Sequence, residues 1–371
     1  MSARITRLAV ASAAALALVL TGCSSGSSSG GGTAQTNENG DLVIDGELIA
    51  PADVFKAAKE EGSLVFYSGG SEQSETQAAD AFTKATGIDV EIVRLAPNRL
   101  SERILSEEAA GKLGADVIRI SGEDLIVGIA DAGAFQPTKI SPDIAGALKP
   151  DATYENGLYF NSYDRIYSFG YNNQVVEAAD APKNWKDLLD PKWSGKLGVV
   201  QVGAGGSTAA LTRFQLGVLG EDYLKGYAAN RPRIFDSSAS LTDSLARGEI
   251  SAGPVPVATA YASTLDGAPI TIAVPEEGVA AYPFYLGQAA GSKKSNAATV
   301  FVNWLLSASG QKLAASIGDY PVHENMPNPT IGDVELPAAD SGFLHRATID
   351  ESLKNLQPDA TTWRQIFGYT G

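Results

Sequence analysis

The chain is poor in several things that would otherwise account for it. It has one cysteine, Cys23, in 371 residues. That excludes any disulfide within the chain, so a packed core must supply the stability. Histidine occurs twice, as His323 and His345, in a Pro- and Asp-rich region with no nucleophile signal nearby. There is no metal-spaced His/Glu motif, no Cys/His pair, and no Gly-x-Ser-x-Gly elbow between a strand signal and a helix signal. These absences argue against a hydrolase. Positive charge is scarce: 28 Lys and Arg face 43 Asp and Glu, a net −15. Such a surface repels nucleic acid and anionic lipid head groups, so an anionic ligand has to be attracted by local dipoles. Past the first two dozen residues, no apolar run is long enough to span a bilayer.

The sequence opens with Arg4 and Arg7, then an apolar run from Leu8 to Leu20, then Thr21-Gly22-Cys23. A basic start, a short apolar core and small residues before a cut make a bacterial export signal over residues 1–22. The net charge becomes −17 when Arg4 and Arg7 leave with it. Small residues directly followed by cysteine resemble the lipobox of bacterial lipoproteins. The resemblance implies that Cys23 becomes the first mature residue and carries lipid, palmitate included. Ser, Gly, Thr, Asn and Gln then dominate to about Gly40. That composition cannot bury apolar area, so residues 23–47 are expected to be a lipidated start and a flexible tether. A tethered receptor on the outer face of the cytoplasmic membrane suits a Gram-positive or actinobacterial cell.

From Leu48 on, strand and helix signals alternate. Leu64-Val65-Phe66-Tyr67 reads as a buried strand ending at Ser68-Gly69-Gly70-Ser71. A helix follows, with a capping box at Ser74 and Gln77 and a stop at Gly87. Ile88–Leu95 and Ala115–Ile120 read as strands, with helices near 100–110 and 123–132. A second cycle has strands at Tyr167–Tyr171 and Leu197–Val202, then Gly203-Ala204-Gly205-Gly206-Ser207-Thr208 leading into a helix. Ser240–Arg247 is helical, and Ile250–Val257 is extended but made irregular, or an edge, by Pro254 and Pro256. This order predicts an α/β protein of two lobes, with ligand bound where strand ends and helix N-termini converge.

Several stretches resemble the iron(III)-, 2-aminoethylphosphonate- and thiamine-type solute-binding proteins of bacterial ABC importers. They are Phe66-Tyr67-Ser68-Gly69-Gly70, Ala81 to Ile88, Gly114-Ala115-Asp116-Val117, Asn184 through Lys196, Ala246-Arg247-Gly248-Glu249-Ile250, and Phe301 through Gln311. The resemblance runs over about residues 62–321. It implies the type II periplasmic-binding-protein fold, two lobes joined by two hinge crossovers that close on a ligand. By analogy the crossings lie near Arg165–Tyr171 and Pro283–Gly287. Lobe 1 is then 48–164 plus 285–335, and lobe 2 is 165–284 plus 336–371.

Iron(III) members of the family resemble one another in using tyrosinates with a histidine and a carboxylate, hard donors that suit ferric ion. Here the matching positions read Ser71, Ser121, Ala258 and Thr259, with Glu123 and Tyr261 nearby. The ferric set is mostly missing, so iron is the alternative ligand, kept open by Tyr159, Tyr163, Tyr261, Tyr282 and Tyr285. No other cofactor is expected. The anion half of the family site fares better. Gly205, Gly206, Ser207 and Thr208 resemble its anion loop, and a helix N-terminus there favours negative charge. Ser68, Gly69, Gly70 and Ser71 form a similar junction in lobe 1, and Ser238 and Ser240 a third. Arg165 is either a fork for a carboxylate or phosphonate, or a hinge salt bridge. Tyr261 and Tyr285 are candidate walls of the pocket. The expected function is capture of a small anion-bearing solute for an ABC permease and its ATPase, by a monomer without catalysis. A ligand-sensing lipoprotein and a secreted hydrolase are the remoter readings.

Overall fold

The computed structural model describes residues 34–370. The export signal and Cys23 lie outside the described residues. Two long strands, Tyr159–Asn172 and Val279–Ala289, pair antiparallel and run through both lobes. They contain both expected crossings. On one side, Val279–Ala289 pairs with Val117–Ser121, which leads to Ser63–Ser68 and Asp89–Arg94. These last three strands are parallel to one another, as expected of strand–helix–strand units,. On the other side, Tyr159–Asn172 pairs with Ala252–Pro256. That strand ends the main path of the sheet, where its two prolines are tolerated because no further ladder needs their missing N–H groups,. The register shifts between Pro283 and Tyr285, placing a bulge in the second crossing,.

Each lobe has its own aromatic core. In lobe 1, Phe66, Phe82, Phe301 and Trp304 are fully buried, with Phe301 edge-on to Phe66 and Phe82 at 5.1 and 4.8 Å. The apolar stripe of helix Glu72–Thr86 delivers Phe82 there, and Gly87, at φ +68°, ends that helix with its N–H on the Thr83 carbonyl. In lobe 2, Trp185 packs between Phe169 and Phe214 and donates its indole N–H to the Gly278 carbonyl at 2.9 Å. Burying one such side chain stabilises the fold by about 1.5–3 kcal/mol.

Two expectations need correction. The flexible arm does not extend to residue 47. Ala34–Thr36, Leu42–Ile44 and Glu47–Ala50 form a three-stranded antiparallel sheet. Leu42, Ile44 and Ile49 enter the lobe 1 core. The turn is Asp45-Gly46, both at positive φ, the signature of a tight hairpin,. The sheet is fixed to lobe 1 by Glu47, which accepts from the Ala308 N–H at 2.7 Å and meets His323 Nε2 at 2.6 Å. The helix after Ser68-Gly69-Gly70-Ser71 also begins earlier than the Ser74/Gln77 box implies. Ser71 is its N-cap and Glu72 its first residue. Among the described residues, no helix is long and apolar enough to cross a membrane.

Candidate functional site

The loops at the carboxyl ends of the strands meet between the lobes. Asn98 of lobe 1 donates to the Gly203 carbonyl of lobe 2 at 3.3 Å. Gly206 packs directly on Gly122: a Cβ on Gly206 would stand 2.4 Å from Gly122 Cα and 2.7 Å from its nitrogen. The jaws are therefore closed at this point, and two glycines make the contact.

The lobe 2 loop has the features of an anion cradle. Helix Gly206–Phe214 opens with no side-chain cap. The N–H groups of Thr208 and Ala209 both reach the Gly205 carbonyl, and the Thr208 hydroxyl donates to Val202 and Gly205. Thr208 thus holds the loop in shape and is buried. The N–H groups of Gly206 and Ser207 find no acceptor among the described residues, and Ser207 is half-exposed. Free N–H groups at the positive end of a helix are donors waiting for an anion.

The lobe 1 loop looks alike in sequence but turns its donors inward. Ser68 is buried and donates to Glu75 Oε1 at 2.8 Å, while accepting from the Gly70 N–H at 3.0 Å. Gly69 donates to the Arg119 carbonyl. Glu75 is fully buried and paired with the buried Arg119. Gly70 is glycine because Glu75 occupies its side-chain space: a Cβ would lie 1.9 Å from Oε1. Only Ser71 stays partly open, its hydroxyl 2.6 Å from that of Ser74. In the third cluster, Ser240 is used by Ser237, which caps the helix Ser238–Ala246. Ser238 meets the hydroxyl of Tyr167 on the first crossing at 2.7 Å.

Arg165 makes the hinge salt bridge. Its Nε and Nη2 donate to Asp319 Oδ1 and Oδ2 at 2.8 and 2.6 Å, and its guanidinium lies over the rings of Tyr163 and Phe284. Ser121 is buried at a strand end, paired in the backbone with Phe284. Tyr285 stands edge-on to Tyr154 and Tyr159 in the lobe 1 core, away from an open cleft wall. Tyr261 is half-buried on helix Val257–Leu265 against the cluster around Ile166 and Tyr320. Burial raises the pKa of Tyr163, Tyr282 and Tyr285, and lifts Tyr159 to about 12. That opposes tyrosinate formation.

Three features escaped the sequence reading. Arg119 and Glu75 form a buried pair beneath the lobe 1 loop. The Arg119 Nε and the Tyr163 hydroxyl are buried without a partner, beside a void of about 20 Å³. Next to the Gly122–Gly206 contact, a cavity of about 390 Å³ is lined by Glu123, Arg213, Phe214, His345 and Arg346. The only readable hint was Glu123, which follows the third strand of lobe 1.

Two lobes joined by paired crossing strands, with an uncapped helix start where they meet, are the architecture of a jaw-type solute-binding protein. The chain belongs to the bacterial extracellular solute-binding protein family, whose model matches residues 77–338. A Salmonella typhimurium periplasmic protein provisionally named for 2-aminoethylphosphonate binding is 27% identical over 310 residues, 77% of this chain and 86% of that protein. Among solved structures, iron-bound HitA of Pseudomonas aeruginosa aligns with a TM-score of 0.65 at 22% identity, over 82% of this chain and 99% of HitA. AfuA of Actinobacillus pleuropneumoniae, with fructose-6-phosphate bound, gives 0.65 at 21%, over 84% of this chain and all of AfuA. These structures establish the two-lobed type II fold.

Proposed function

We propose that the protein is the substrate-binding component of an ABC importer, capturing a small anion-bearing solute between its lobes for a permease and ATPase. Phosphonates, phosphate esters and organic carboxylates fit the donors. The observation that carries this reading is the uncapped helix N-terminus at Gly206 and Ser207, with free N–H groups beside the interlobe contact. Relatives named for a phosphonate and solved with a sugar phosphate support it. The ligand residues are then those of the lobe 2 loop, with the Gly206 and Ser207 N–H groups as the donors. No catalytic step is assigned to the chain. Ferric ion is the second reading, favoured by iron-bound HitA. The burial of the tyrosines works against it.

The lobe boundaries near residues 164 and 285 follow the two crossings. Cys23 is the lipid anchor in this reading, and lobe 1, through the 34–50 sheet, is the lobe that follows it first along the chain. Replacing Cys23 by Ala is expected to move the protein from the membrane to the soluble fraction; unchanged membrane association would contradict the anchor. A thermal-shift panel of phosphonates, sugar phosphates, carboxylates and ferric citrate tests the ligand class. A ligand at 100 times its Kd adds about 2.7 kcal/mol to stability. A response to ferric citrate alone, with a visible tyrosinate band, would replace the anion reading with the ferric one.

A further inference from the structure

The anion cradle has a neighbour of opposite sign. Glu123 is the first residue of helix Glu123–Asp131 in lobe 1, directly after the Gly122 that touches Gly206. Glu123 and Gly206 line the same small cavity, and Glu123 also lines the cavity of about 390 Å³ beside it. Only 8% of Glu123 is exposed. Among the described residues, no other side chain pairs with its carboxyl. The nearby cations are engaged elsewhere: Arg346 with Asp164 and Asp151, and Arg213 with Asp359 at 3.2 Å. The remaining groups around it are Asp124 on its own helix, Asp164 and Tyr285 on the crossing strands, Tyr154, and His345 and Glu351 on the wall of the larger cavity. The one of these that can carry positive charge, His345, has its Nε2 on the Glu277 carbonyl at 3.1 Å. Burial therefore raises the Glu123 pKa to about 7. An acid closed off with only its own backbone N–H to bond to is costly, and the cost falls on the closed state, because lobe 2 residues Gly206, Ala210 and Leu353 complete the cavity wall,.

We propose that Glu123 receives a positively charged nitrogen of the cargo while the cargo's anion rests on the Gly206 and Ser207 N–H groups. The ligand class is then a small zwitterion with an amine a few bonds from a phosphonate, phosphate or carboxylate. This rests on the anion-cradle reading above. A cargo ammonium supplies the missing partner at the moment of closure. A cargo without it leaves the jaws to close on a bare carboxylate, or to take up a proton first. Sites that leave a buried polar group unpaired reject the incomplete ligand strongly.

The test is calorimetric titration of the purified protein with three matched pairs: 2-aminoethylphosphonate and ethylphosphonate, phosphoethanolamine and ethyl phosphate, β-alanine and propionate. At pH 8 the amine-bearing member of the best pair is expected to bind at least 30-fold more tightly. Glu123→Gln should reduce that ratio below threefold, and Glu123→Asp should place it between. At pH 7, titration in two buffers of different ionisation enthalpy should show a proton released on binding the amine. Equal affinities within every pair in the unaltered protein, or a ratio preserved in Glu123→Gln, would overturn the role of Glu123 and leave the anion cradle intact. Proton uptake on binding the amine-bearing member would make Glu123 a structural acid and also overturn it. Absence of binding by all six compounds would overturn the cradle and this role together.

Discussion

The two Ser/Gly loops, one in each lobe, invite comparison. Ser68-Gly69-Gly70-Ser71 in lobe 1 and Gly205-Gly206-Ser207-Thr208 in lobe 2 have nearly the same composition and both lead into helices. Their donors point to different ends. In lobe 1 a carboxylate of the protein, Glu75, fills the space under the loop and accepts from Ser68, with Gly70 bonded back to Ser68. In lobe 2 no carboxylate among the described residues does so, and two N–H groups have no acceptor there. One loop is satisfied by its own chain and the other is open to a ligand. The composition of a Gly/Ser turn thus says that backbone donors converge, and a residue several positions away decides on what.

The largest effect should come from emptying the lobe 1 loop of its support. Arg119→Met leaves Glu75 buried and unpaired, and breaking such a pair typically costs about 3–5 kcal/mol. Urea unfolding should show that loss, with ligand specificity unchanged in whatever protein remains folded. The double variant Glu75→Gln, Arg119→Met should recover part of it. If Arg119→Met is as stable as the parent, the lobe 1 loop is not held from beneath.

The next effect depends on pH. In the closed form Glu123 titrates at about 7, against an ordinary value of 4.5. The folded protein therefore holds a proton that the unfolded chain has lost between those values, and stability falls as pH rises through that window. The penalty is absent below about pH 4.5 and complete above about pH 7, at most about 3 kcal/mol. Ligand-free Glu123→Gln should gain on the parent by that amount between pH 4 and pH 8. A pH-independent difference would mean that Glu123 is solvated.

Gly206→Ala comes third, and it acts on the lobe 2 side of the comparison. Within its own lobe the position is an ordinary first helical residue, but a Cβ collides with Gly122 across the cleft. Cargo affinity should fall tenfold or more, about 1.4 kcal/mol, because closure drives the new Cβ onto Gly122. Ser71→Ala should be smallest, about 1 kcal/mol of stability for the lost helix cap,. A large loss of cargo affinity in Ser71→Ala with no loss of stability would instead make the lobe 1 loop a ligand loop.

Much of the architecture was legible because it rests on local patterns. The strand–helix alternation and the Gly87 stop follow from apolar periodicity and glycine placement, while the crossings came from the family resemblance. The 34–50 sheet was missed because its strands are three or four residues long within a polar, glycine-rich stretch, although Asp45-Gly46 was a readable hairpin signal. The site was less legible. Arg165 carried two readings in sequence, and only the Asp319 geometry chose between them, 154 residues away. Glu75 looks like an ordinary acid in the first turn of a helix. Its burial depends on Arg119, on a strand 44 positions later. Tyr285 was expected at the cleft, yet the bulge at Pro283 helps turn it into the lobe 1 core.

The claim at the centre of this account is that the anion is held by the backbone of the lobe 2 loop. Amide NMR during titration with the best anionic ligand tests it most directly. The Gly206 and Ser207 N–H resonances should move strongly downfield on binding, while those of Gly69 and Gly70 stay nearly fixed. Large shifts at Gly69 and Gly70 with none at Gly206 and Ser207 would contradict it.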